Sequence, residues 1–284
     1  MKKQTLFPLA VLLITLLALP SCRKAITLAG GEHRLQELLD SACRIETVSV
    51  TDFNGMPDQY QVYYNAAGNP DSMIDNNPHG SIGNPRYFFR YDSLNRLSDF
   101  MWTQQPYTSE GGYFAIYWHK YAYPQTDLVI DTSIEYAGDV RGPRPLAFSN
   151  LTSVRSYGLD AQGRIEKIYV IADVNDTIHA PVLVSTITYD ANGNLPLSDP
   201  ARTYDNKINF FQTNKVWQFV FMNYSRNNVI STDTTFVPVY NGYGLPLHLQ
   251  NLNYGPSPFG LIWNTGLSLD ITYSCSAPQG PINY

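Results

Sequence analysis

Five histidines, His33, His79, His119, His179 and His248, are the side chains best suited to proton transfer or metal binding near neutral pH. No two stand at metal-ligand spacing and no cysteine lies beside one, so they are expected to be packing or surface residues. Cys43 with a histidine would make a thiolate nucleophile, but an oxidising compartment and an available partner, Cys275, argue against that chemistry. The run Asp190-Ala191-Asn192-Gly193-Asn194 has the oxygen density of a calcium loop. An EF-hand loop needs glycine sixth and a bidentate glutamate twelfth; here glycine is fourth and the twelfth position is Ala201. The stretch 71–77 is a weaker version and reads as a solvated loop. Glu135 and Glu166 are acidic residues within strand-like runs, but a glycosidase carboxylate pair is defined by distance in the fold. There is no phosphate-cradling glycine loop and no Gly-x-Ser-x-Gly. Accordingly no catalytic residue, no cofactor-binding residue and no metal ligand is expected.

The elements that carry these residues are foreshadowed by composition. The chain has 284 residues, 44% hydrophobic and 13% aromatic, which is too apolar for disorder. Its formal net charge of −5 excludes a general nucleic-acid binder. From residue 45 onward, runs rich in Val, Ile, Thr, Tyr, Phe and Trp predict strands at 45–51, 60–64, 87–91, 100–103, 114–123, 128–136 and 151–157. Further strands are predicted at 165–172, 178–189, 216–224, 229–240, 247–252 and 267–273. Nineteen glycines and nineteen prolines punctuate these runs, and no long helical pattern alternates with them, so a parallel βαβ sheet is excluded. One short helix is expected before them, because Leu35, Leu38, Leu39 and Ala42 make a single apolar face. The best internal break is the Gly/Pro-rich segment 138–145, which reads as a long loop. Residues 113–121 place aromatics on both faces of one strand. Either both faces are covered, or one aromatic face binds something flat such as a sugar or a peptide.

The first residues form a leader. Lys2 and Lys3 precede an apolar stretch from Leu6 to Leu19 that is too short for a comfortable membrane span. Its end, Leu19-Pro20-Ser21-Cys22, resembles a bacterial lipobox, with Cys22 as the lipidated residue. The resemblance implies a signal peptide over 1–21, a tether over 22–31 and a single β-rich domain over 32–284. Removing the leader leaves 17 basic against 24 acidic residues, a mature charge of −7. The remaining cysteines, Cys43 and Cys275, are either one disulfide between the N-terminal segment and the last strand, or two buried thiols.

One short pattern recurs six times: Asp or Asn, two free residues, Gly or Asn, one residue, then Leu, Ile or Pro. Its first and fourth residues are Asp52 and Gly55, Asn65 and Gly68, Asp92 and Asn95, Asp160 and Gly163, Asp190 and Gly193, and Asn241 and Gly244. Tyrosine precedes four copies, as Tyr64, Tyr91, Tyr189 and Tyr240. Asp or Asn at the first position accepts from a backbone N–H two residues on, and glycine supplies the positive φ that closes a bulged hairpin. Each copy therefore predicts a β-hairpin, with the tyrosine ending the incoming strand. The expected fold is all-β: an antiparallel meander of hairpins forming one large curved or rolled sheet, with a short N-terminal helix.

These Tyr-Asp-x-x-Gly-x-Leu units resemble the YD, or RHS-type, repeats of bacterial cell-surface and secreted proteins. Together with the lipobox they resemble the YD-repeat-like lipoproteins of the Bacteroidota. The segment Tyr204-Asp205-Asn206-Lys207-Ile208-Asn209-Phe210-Phe211 is similar to one recurring in those lipoproteins, as is Asn227-Asn228. The intervals between copies run from 13 to 68 residues, which favours one curved sheet over a closed repeat shell. Asp-Ser/Thr-apolar triplets at Ser41, Ser72, Ser93 and Thr177 resemble the O-glycosylation sequon of exported Bacteroidota proteins; they are equally ordinary turn composition.

The resemblance implies an outer-membrane lipoprotein of the cell envelope, on either the periplasmic or the surface face. The expected role is a non-catalytic scaffold or binding module for a glycan or peptide, held to the membrane by its lipid, without nucleic acid. A polysaccharide-acting hydrolase, or a structural part of an outer-membrane assembly, is the alternative.

Overall fold

A computed structural model describes residues 43–51, 57–75, 86–106, 113–137, 151–172, 178–232, 236–250 and 268–276. The expected leader with Cys22, the tether, the 35–42 helix, the Asp52–Gly55 corner, the 138–145 break, His33 and His79 lie outside them.

Ten strands follow one another: β1 (Cys43–Thr51), β2 (Pro57–Tyr64), β3 (Pro70–Asp75), β4 (Arg86–Tyr91), β5 (Leu97–Pro106), β6 (Tyr113–Gln125), β7 (Leu128–Ala137), β8 (Leu151–Leu159), β9 (Ile165–Ala172) and β10 (Ile178–Thr186). The chain then leaves the sheet. It forms β11 (Arg202–Ile208), a 3-10 turn (Phe210–Thr213), helix α1 (Lys215–Phe221) and β12 (Asn227–Ser231). It returns as β13 (Val239–Tyr240), β14 (Pro246–Gln250) and β15 (Ser268–Cys275).

The protein is mostly β, with one open antiparallel meander of thirteen strands in the order β10 through β1, then β15, β14 and β13. β11 and β12 make a separate two-stranded ladder. β15 returns beside β1 with Cys43 opposite Cys275, and the two are joined by a disulfide. Cys43 is thus no free nucleophile.

Alternation along the strands sorts the sheet into two faces. On one, Val48 lies opposite Tyr60, Val62 opposite Met73, Met73 opposite Tyr87, and Phe89 opposite Phe100, all buried. The turn and helix cover this face. Trp217 meets Phe89 edge-on at 5.5 Å, and Phe219 meets Tyr121 and Tyr157 at 5.1 and 6.1 Å. The opposite face buries Met101, Trp118 and Ile134. There Asp99 accepts from the Trp118 indole at 2.9 Å, and the Arg90 guanidinium lies over the same ring. Both faces are therefore buried in mid-sheet, which accounts for the neighbouring Trp118 and His119 of β6 both being buried, while Tyr117 stays exposed.

Three expectations are corrected. The strand predicted over 216–224 is α1. Its β-branched and aromatic residues match strand propensity, but Asn214 caps the helix by accepting from the Val216 N–H at 2.8 Å. Burial against the aromatic sheet outweighs intrinsic propensity. Residues 71–75, expected in a solvated loop, belong to β3, which is paired on both sides; Pro70 is tolerated as the first strand residue. Ser72 is accordingly buried, whereas Ser93 occupies a corner. Finally, the Asp190 corner closes no hairpin in the sheet. Its outgoing Leu195 N–H donates to Ser225 Oγ at 3.1 Å, and Asn194 exchanges bonds with Asn227, steering the chain toward the covering segment.

Candidate functional site

The five described copies of the repeat share one geometry. In each, the first residue's N–H donates to the fifth residue's carbonyl, and the fourth residue's N–H donates back to the first carbonyl, at 2.8–3.0 Å. In each, the Asp or Asn Oδ1 accepts from the third and fifth N–H groups, as Asp160 does from Gln162 and Arg164 at 2.9 Å. The fourth residue is left-handed throughout: Gly68 at φ 84°, Asn95 at 60°, Gly163 at 77°, Gly193 at 81° and Gly244 at 78°. In two copies an arginine completes the corner. Arg96 and Arg164 pair with Asp92 and Asp160 at 2.8 Å and lie over Tyr123 and Tyr189 at 4.4 and 3.8 Å. Burial alone would raise the Asp92 carboxyl, but bonds from Arg96 and Leu94 outweigh it and hold the group below its ordinary range.

The tyrosines have a role that spacing within one repeat did not show. In every described copy the carbonyl of the sixth residue accepts a tyrosine hydroxyl from a neighbouring segment. The donors are Tyr91 to Pro70, Tyr123 to Leu97, Tyr189 to Ile165, Tyr204 to Leu195 and Tyr273 to Pro246, at 2.5–3.1 Å. Tyr64 donates likewise to Ile45 at 2.9 Å. The corners thus form a ladder in which each is pinned by a later part of the chain.

Burial holds four of these phenols protonated well above the ordinary value of 10.0: Tyr123 is pushed up to about 12, and Tyr64, Tyr91 and Tyr189 higher. The folded form therefore retains protons that the unfolded chain releases. Stability is full below about pH 10 and falls as pH rises toward and past 12. Ultraviolet titration of tyrosinate alongside circular dichroism should show a group of phenols ionising only together with unfolding. Tyr123→Phe should lower stability by about 1–2 kcal/mol at neutral pH, through the unsatisfied Leu97 carbonyl.

The group most like catalytic machinery is buried on the covered face. His119 Nδ1 lies 3.0 and 3.1 Å from the two Asp131 oxygens, and the Tyr157 hydroxyl donates to Asp131 at 2.7 Å. Burial first, and then the Asp131 charge, raise the Tyr157 phenol well above its ordinary range. Ser133, opposite His119 in the ladder, takes a hydroxyl bond from Thr152 at 2.7 Å. With His119 at 7%, Asp131 at 2% and Ser133 at 5% exposure, this is a polar network inside the core. Glu135 lies on β7 and Glu166 on β9, with β8 between them, and Glu166 faces Lys167 at 3.6 Å. His179 lies on β10. Among the described residues no group of three His, Cys, Asp or Glu could hold a metal ion.

An accessible feature lies near the far end of the sheet. A groove of about 200 Å³, lined by Val229, Ile230, Phe236, Val237, Pro238 and Gln250 among others, opens between β12 and β14. Val237 is 73% exposed. Phe236 stacks on His248 at 4.9 Å, and His248 Nδ1 is held 2.6 Å from Asp270 on β15. The surroundings are tied down: Tyr240 on β13 donates a very short bond to Asp205, which also accepts from Asn228. This brings Asp205 and Asn227-Asn228 together, with Asn228 also donating to the Ile208 carbonyl at 3.0 Å. The groove escaped the sequence reading because its residues come from three separate stretches with no motif of their own.

No family model matches the sequence, and comparison with curated proteins finds no match.

Proposed function

We propose that the chain is a lipid-anchored cell-envelope protein, tethered through Cys22, whose β body is a non-catalytic binding module resembling the YD-repeat lipoproteins. The observation that carries the reading is the apolar groove beside β13, with the His248–Asp270 pair next to it. Its volume suits one large apolar group and its neighbours supply hydrogen bonds, as in a site that anchors a peptide by a single side chain. The chemically capable side chains elsewhere, His119 and Asp131, are committed to each other in the core, which supports a framework role.

The test has two arms. Metabolic labelling with a radioactive fatty acid should tag the full chain and not Cys22→Ser. The detergent-purified chain, screened against peptide and glycan arrays, should retain peptides with an exposed apolar residue, and Val237→Asp should weaken that binding at least tenfold. Unlabelled wild type overturns the anchor. Polysaccharide hydrolysis without array binding overturns the binding module in favour of an enzyme.

A further inference from the structure

The thirteen-stranded sheet ends differently at its two sides. One end is β13, only two residues long. The other is β10, nine residues long, and no described strand pairs with its outer edge. Such an edge presents unpaired N–H and C=O groups and is a template for another strand.

Natural edges are guarded by charges, prolines or bulges, and β10 is guarded only in part. Its register against β9 is irregular between Ile178 and Val182, where Pro181 also removes a donor. A second irregularity lies between Leu183 and Ser185. The span Ile178–Thr186 carries no Asp, Glu, Lys or Arg. Three consecutive apolar side chains stand in solvent: Val182 at 56%, Leu183 at 49% and Val184 at 56% exposure. Val182 and Leu183 pair in regular register with Val170 and Tyr169 and so point to opposite faces, which means that covering one face alone would not hide both.

We infer that β10 is a self-association edge, at which two copies of this chain join their sheets antiparallel about a twofold axis at Leu183.

Self-pairing suits this strand for reasons of symmetry and charge. An antiparallel pair is self-complementary, so one patch serves both copies and the assembly closes as a dimer. With Leu183 opposite its own copy, Val182 faces the other copy's Val184, and Pro181 faces Ser185. All three exposed apolar residues then meet apolar partners. No like charges are set opposite one another, although the chain as a whole carries −5. The two-residue β13 offers too short an edge to extend the array from the other side.

The inference is independent of the groove reading, which concerns the opposite end of the sheet. It is tested on the full chain expressed in a Gram-negative host and purified in mild detergent. Sedimentation should give a dimer for wild type. Leu183→Lys and, separately, Val184→Glu should raise the dissociation constant at least tenfold with unchanged circular dichroism, both sites being surface positions. Mild oxidation should cross-link Leu183→Cys to twice the monomer mass and leave Val237→Cys, exposed at the far end, uncross-linked. A wild-type monomer, a dimer indifferent to both charged variants, or equal cross-linking of the two cysteine variants would each overturn it.

Discussion

Trp217→Ala should destabilise the protein by about 3–5 kcal/mol, the range for removing a fully buried large aromatic side chain. Trp217 is 1% exposed on α1, where it meets Phe89 edge-on and lies 6.4 Å from Phe221. Helix α1 has seven residues, too few to persist by itself in water, so its stability is tertiary. Deleting the indole leaves a cavity between helix and sheet and loosens the cover over Phe89 and its neighbours. The urea midpoint should fall sharply, and an apolar dye should bind at denaturant concentrations where wild type binds none. Trp217→Phe, which keeps a ring in place, should lose less than half as much. A loss under about 1 kcal/mol for Trp217→Ala would show that the sheet face needs no helix.

Removing the disulfide should have an effect of similar size by another route. Cys43 and Cys275 are 232 residues apart in sequence, so the crosslink ties nearly the whole described chain into one loop of the unfolded state. The chain-entropy relation gives roughly 5 kcal/mol for a loop of this length, and measured values commonly fall lower, at about 2–4 kcal/mol. The paired Cys43→Ala, Cys275→Ala variant should therefore unfold at a clearly lower urea concentration while keeping its strand content. The β1–β15 ladder continues from Arg44 to Thr51 without the crosslink. Cys43 has no solvent exposure, so thiol reagents should reduce the native bond slowly and the unfolded one quickly. Equal midpoints with and without the bond would remove this crosslink from the causes of stability.

The corners were legible because their chemistry is local. An Asp or Asn that accepts from two backbone N–H groups, followed by a residue that tolerates positive φ, reverses the chain whatever lies around it. Asn95 serves as well as glycine for that reason. The path of the chain beyond a corner is not local. The Asp190 copy has the same bonds as the others, yet its outgoing segment turns away because Ser225 and Asn227, 30 and 33 residues beyond their partners, hold it. The tyrosines are a similar case. Position alone marks Tyr91 as a strand end, but its acceptor, the Pro70 carbonyl, belongs to an earlier corner. The helical segment carried one readable sign: Asn209 and Asn214 each precede an apolar stretch and each caps it.

Alternation and turn chemistry act within a few residues, and they were enough to define the all-β class, the antiparallel meander and the places where the backbone reverses. Long-range packing was needed to wind 215–221 into a helix and to pair 70–75 as a strand. It likewise sealed His119 and Asp131 in the core and opened an apolar groove beside β13. Those outcomes depend on which surfaces meet after the chain has folded back over distances no local rule spans. There, burial against a neighbour outweighs the modest preferences of individual residues.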